Sequence, residues 1–68
     1  MNENQHIEIT TRDRLLRAWQ NSMEMVRDFV NYSNEIEDDE DVARVFSDFA
    51  KQEGMQASKL RELLEQYQ

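Results

Sequence analysis

The chain has no cysteine, no proline, one glycine and one histidine. Without cysteine there is no disulfide, no thiolate metal site and no cysteine nucleophile, and the absence fits a reducing compartment. The lone histidine, His6, makes neither a metal site nor a triad by itself. No nucleophile stands beside a base elsewhere, so enzymatic activity is not expected. Lack of proline and near-lack of glycine, with many Glu, Gln, Arg, Leu and Met, is the composition of long helices. No apolar run approaches the ~20 residues of a membrane span. The start Met1-Asn2-Glu3-Asn4-Gln5 carries no apolar signal core, and a cytoplasmic protein is the expectation.

Basic side chains are also scarce: 8 Lys and Arg against 15 Asp and Glu give a net charge of -7. Such a chain repels phosphate backbones and anionic membranes, which excludes nucleic acid and membrane surfaces as expected partners. Arg12, Arg14 and Arg17 gather near the start of the first helix but are interleaved with Asp13 and form only a local patch. With 68 residues there is one domain at most. A chain of that size buries only about 60% of its unfolded surface, so it needs support from metal or self-association once disulfides are excluded.

Residues 1–10 carry no helical period; His6 to Thr10 alternates like a strand but has nothing to pair with, which predicts a flexible arm. Thr10 or Thr11 then caps a helix over about 11–35, with Asp13 completing a capping box from Thr10. Leu16, Trp19, Met23, Val26 and Val30 recur at alternating intervals of three and four, the seam of a bundle helix. Leu15, Ser22, Phe29 and Ile36 flank that seam and widen it. Six of the seven residues from Glu35 to Asp41 are acidic, which predicts a solvated turn at about 36–39 with Asp38 or Asp39 capping the next helix. The run lacks the spaced ligands and turn glycine of a calcium loop. The second helix, about 40–67, carries its seam at Val42, Phe46, Phe49, Glu53, Gln56, Leu60, Leu63 and Tyr67, flanked by Ala43, Ala50, Ala57 and Leu64.

So short a connection makes the helices antiparallel, with Phe46 near the level of Val30 and Leu60 near Leu16. The fold class is all-α, an antiparallel two-helix hairpin. Two helices cannot cover two broad apolar faces, so a homodimer completing a four-helix bundle is expected. Glu53 and Gln56 interrupt the second seam, and Gln20 and Ser22 lie at their level on the first helix. Together these four predict a polar layer in the core that sets the register, because an unpartnered buried carboxylate is costly.

The stretch Val45-Phe46-Ser47-Asp48-Phe49-Ala50, followed by Glu53-Gly54-Met55-Gln56-Ala57 and then Leu60, resembles the second helix of a ferritin-like, rubrerythrin-type hairpin. That family shows Glu-x-x-His-Ala in this place; Glu53 stands on its glutamate and Gln56 where its histidine would be. The resemblance spans residues 12–67, equivalent to half a ferritin-like bundle, and implies that two chains pair to complete it. It further implies a metal site of iron or manganese in which Glu53 is the surviving ligand. The family's first-helix glutamate would fall near Ser22, and the nearest acid, Glu24, is about 200° round the helix from the matching face.

The expectation is therefore a non-enzymatic, homodimeric helical-hairpin module of ferritin-like ancestry, meeting another protein through its acidic surface and carrying no cofactor. The alternative is a ferritin-like metal-binding protein with a site formed around Glu53 of two chains. Met25 and Met55, off both seams, hint at an added partner surface.

Overall fold

The computed structural model describes residues 8–67. Two helices, α1 (Thr11–Glu35) and α2 (Glu40–Glu65), pack against each other as a hairpin, with no strand among the described residues. Residues 1–7 of the expected arm, His6 among them, lie outside the described residues, and Glu8 to Thr10 are exposed and non-helical. No helix among the described residues is long and apolar enough to cross a membrane.

The helix ends follow from local chemistry. Thr10 and Asp13 form a full capping box, the Thr10 hydroxyl accepting from the Asp13 N–H at 3.0 Å and the Asp13 carboxylate from the Thr10 N–H at 3.1 Å. Two of the first turn's otherwise orphaned donors are thereby satisfied. Those same bonds hold the Asp13 carboxyl below its ordinary value, the backbone donor of Thr10 contributing most. The Arg14 guanidinium donates to the Ile9 carbonyl at 2.9 Å, tying the entering chain to the first turn. At the other end Ile36 turns extended while its N–H still donates to the Tyr32 carbonyl at 3.0 Å. Asp39 caps α2 by accepting from the Val42 N–H at 3.1 Å, and Glu40 and Asp41 fill the first turn, where the helix dipole favours negative charge. The acidic run is thus divided between the end of one helix and the cap of the next. Exposed pairs Asp41–Arg44, Lys59–Glu62 and Arg61–Glu65 decorate α2 and add little stability.

The helices meet along the lines that flank the two seams. Ser22, Ala50, Ala57 and Leu64 are the buried residues, and Leu15, Phe29, Ile36 and Ala43 on the same seven-residue rows are half-buried. Alanines at Ala50 and Ala57 let α1 approach closely, so the row of smallest side chains becomes the line of contact. The levels agree with an antiparallel pairing, and Phe46 rests against the rings of Phe29 and Tyr32. Val30 is exposed.

The result is a flat plate. Two packed helices make a single layer, about one helix diameter thick. Among the described residues no large side chain is fully buried.

Candidate functional site

Because the contact runs along the flanking rows, the two seams emerge on opposite broad sides of the plate. At about 100° per residue, Met25 and Tyr32 of α1 and the rows Val42–Phe49–Gln56–Leu63 and Phe46–Glu53–Leu60–Tyr67 of α2 turn to one side. Leu16, Met23 and Val30 of α1 turn to the other, joined by Gly54, Ser58 and Arg61 of α2. The observed contacts agree with this division. Phe46 lies 5.4 Å from Tyr32, 5.7 Å from Phe29 and 6.5 Å from Phe49, centroid to centroid, and Phe29 reaches Phe49 at 5.9 Å. These distances and tilted angles are those of attractive ring pairs, worth about 0.5–1.5 kcal/mol each beyond their burial. On the opposite side the Arg61 guanidinium lies 5.6 Å above the Trp19 ring, and Trp19, Met23, Gly54, Ala57, Ser58 and Arg61 line a shallow groove.

The aromatic side is incompletely covered. Tyr32 and Phe49 each keep 44% of their surface in solvent, Tyr67 keeps 50%, and Val42 and Met25 keep 40%. Phe46, Leu60 and Leu63 beside them are half-buried. Isolated apolar residues on a surface need no explanation, whereas here rings and aliphatics of both helices lie side by side in one strip.

Of the four residues expected in a polar layer, the hairpin buries Ser22 alone; Glu53 is half-buried, and Gln20 and Gln56 are exposed. Glu53 and Gln56 lie midway along the aromatic strip, flanked by Phe46 and Phe49 toward the turn and by Leu60 and Leu63 toward the open end. Along the first seam, Leu16, Trp19 and Val26 are half-buried and Met23 and Val30 exposed. Met55 is 73% exposed and stands apart from both strips. Sequence reasoning missed Tyr32, whose signal was its seven-residue spacing from Met25, and the Arg61 cover over Trp19.

The donor set of a di-iron centre is not assembled within one chain. Glu24 is exposed, Gln56 offers a neutral amide, and no three His, Asp or Glu side chains group to hold an ion among the described residues. One carboxylate and an amide do not fit a metal that prefers several hard oxygens with imidazole.

No family model matches the chain, and neither a curated protein nor a solved structure matches it.

Proposed function

We propose that this protein is a non-enzymatic interaction or regulatory module of ferritin-like ancestry that acts as a homodimer, two hairpins closing into a four-helix bundle. The observation that carries the reading is the open aromatic strip on a two-helix layer in which no large side chain among the described residues is fully buried. A chain this small gains little from its own interior, and a second layer is the economical way to remove the strip from water. The acidic part of the remaining surface, around the turn, is the face offered to a further protein partner. Absence of cysteine supports a reducing compartment, the cytoplasm.

Glu53 then sets register: at the middle of the strip it meets its own copy and Gln56 across the interface, as single polar positions do in other helical bundles. The metal reading, iron or manganese held between the Glu53 side chains of two chains, rests on the same pairing. One experiment separates them. Sedimentation gives the mass, and metal analysis of the purified protein is compared with that of Glu53→Ala. The expected result is a dimer without stoichiometric metal; iron or manganese in the parent that disappears in Glu53→Ala sinks the register reading.

A further inference from the structure

The hairpin is electrically lopsided along its length. Around the turn, Glu35, Glu37, Asp38, Asp39, Glu40 and Asp41 face a single base, Arg44, which is already paired with Asp41. At the open end stand Arg12, Arg14, Arg17, Lys59 and Arg61, against Glu8, Asp13, Glu62 and Glu65. Lys59 pairs with Glu62 and Arg61 with Glu65, so the residues named carry a net charge of +1 at the open end (five bases, four acids) against -5 around the turn (one base, six acids). Arg12, Arg14 and Arg17 are exposed. A helix of 25 residues is about 37 Å long, several times the ~8–10 Å over which charge is felt in physiological salt. Each end therefore acts on whatever lies beside it and not on the distant end.

We propose that the aromatic strip is covered by a second copy laid antiparallel along it, so that the acidic turn of each hairpin lies beside the arginine-bearing open end of the other. This rests on the homodimer reading and adds its direction. Stacked in the same direction, the two copies would place twelve carboxylates at one end of the bundle, and like charges at that range suppress the arrangement. Laid head to tail, both ends are complementary. The apolar pattern favours the same choice: Phe46 and Phe49 sit near the turn and Leu60 and Leu63 near the open end. Apart from Tyr67 at the open end and Val42 near the turn, head-to-tail pairing sets the Phe46 and Phe49 rings against Leu60 and Leu63.

The test uses the native absence of cysteine. Asp38→Cys, at the tip of the turn, carries a nitroxide and leaves the other five acids in place, and spin–spin distances are read alongside the sedimentation mass. Head-to-tail copies place the two labels roughly 45 Å apart, twice the rise of about 15 residues from the middle of the hairpin to its tip. A dimer with labels closer than about 25 Å overturns the direction and leaves the homodimer standing. A monomeric mass at micromolar concentration, with no dipolar coupling, overturns both. A second variant fixes the sign of the charge effect. Glu37→Gln/Asp38→Asn weakens self-association roughly two- to fivefold if turn meets arginines, and strengthens it if turn meets turn.

Discussion

On one side of the hairpin the rings of Tyr32, Phe46 and Phe49 lean on one another and stay open to water, whereas on the other Trp19 is roofed by the Arg61 guanidinium. Both sides began as an apolar stripe on one helix. They differ in what the opposite helix brings to them. On the aromatic side Tyr32 and Met25 of α1 add to an already apolar α2, so the strip doubles in width. On the Trp19 side α2 contributes Gly54, Ser58 and Arg61, which break the apolar surface with polar groups. An arginine lying on a ring covers it with methylenes while keeping its charge in solvent, and adds about 0.5–1 kcal/mol of cation–π attraction at an exposed site. Met23 and Val30 on the Trp19 side are as exposed as Tyr32 and Phe49, at 43% against 44%, but they stand beside polar groups and not in a cluster of rings.

The sharpest way to break this comparison is a charge placed in each strip. Phe49→Asp is expected to weaken dimerisation by about 3 kcal/mol or more, while Met23→Asp costs about 1 kcal/mol or less. Sedimentation equilibrium of the two variants checks it, and equal losses would erase the distinction between the sides. Next comes the line that separates them. Ala57 is 3% exposed where the helices touch, so Ala57→Leu is expected to cost about 1–3 kcal/mol through overpacking, read as a lower urea midpoint at fixed protein concentration. If Ala57→Leu is tolerated, the helices do not meet along the alanine row.

Two smaller effects sharpen the picture. Gly54 has no positive φ, and a methyl group added there would meet nothing within 4 Å. Gly54→Ala is thus expected to raise stability by up to about 1 kcal/mol, as an α-helix gains from losing glycine's backbone freedom. A loss of stability, or of association, would show the Trp19 side to be the one in contact. Thr10→Ala is expected to cost about 1 kcal/mol by removing the cap of α1, seen as a fall in helicity and melting temperature.

Acid acts on that same cap. The folded Asp13 carboxyl titrates below its ordinary value of 3.8, so its contribution is fully present above that value and is lost as pH falls through the lower folded one. Glu62 behaves likewise through its bond to Lys59, from an ordinary value of 4.5. A pH titration followed by amide exchange should therefore show the first turn of α1 opening below about pH 4 in the parent, with no such step in Thr10→Ala.

The helices and their caps were legible because they rest on short-range chemistry, Thr10 with Asp13, Asp39 with the Val42 N–H, and the acidic run that stops α1, whereas α2 ends at Glu65, short of the expected 67. The rotation of each helix about its axis was not. An apolar arc that includes Leu15, Leu16, Trp19 and Val26 together accepts several rotations with nearly equal burial. The choice fell to the size of the opposing side chains, with Ala50 and Ala57 drawing Ser22 inward. This moved Val30 to the surface and gave Phe46 to Phe29 and Tyr32. Glu53 was legible as a departure from the pattern, but only the rotation shows that it lies on an open strip and not between the two helices of one chain.

The interior of one hairpin is a single line of contact, Ala50, Ala57 and Leu64. Where the rest of an interior lies between copies, the fraction folded follows the amount of protein present, since association enters the folding equilibrium by mass action. Dilution then acts as a denaturant, and a scarce chain is handed to proteases while an abundant one is sheltered. Under the proposed homodimer, such a molecule would carry a threshold on its own abundance, set by a strip of rings and not by any bound effector.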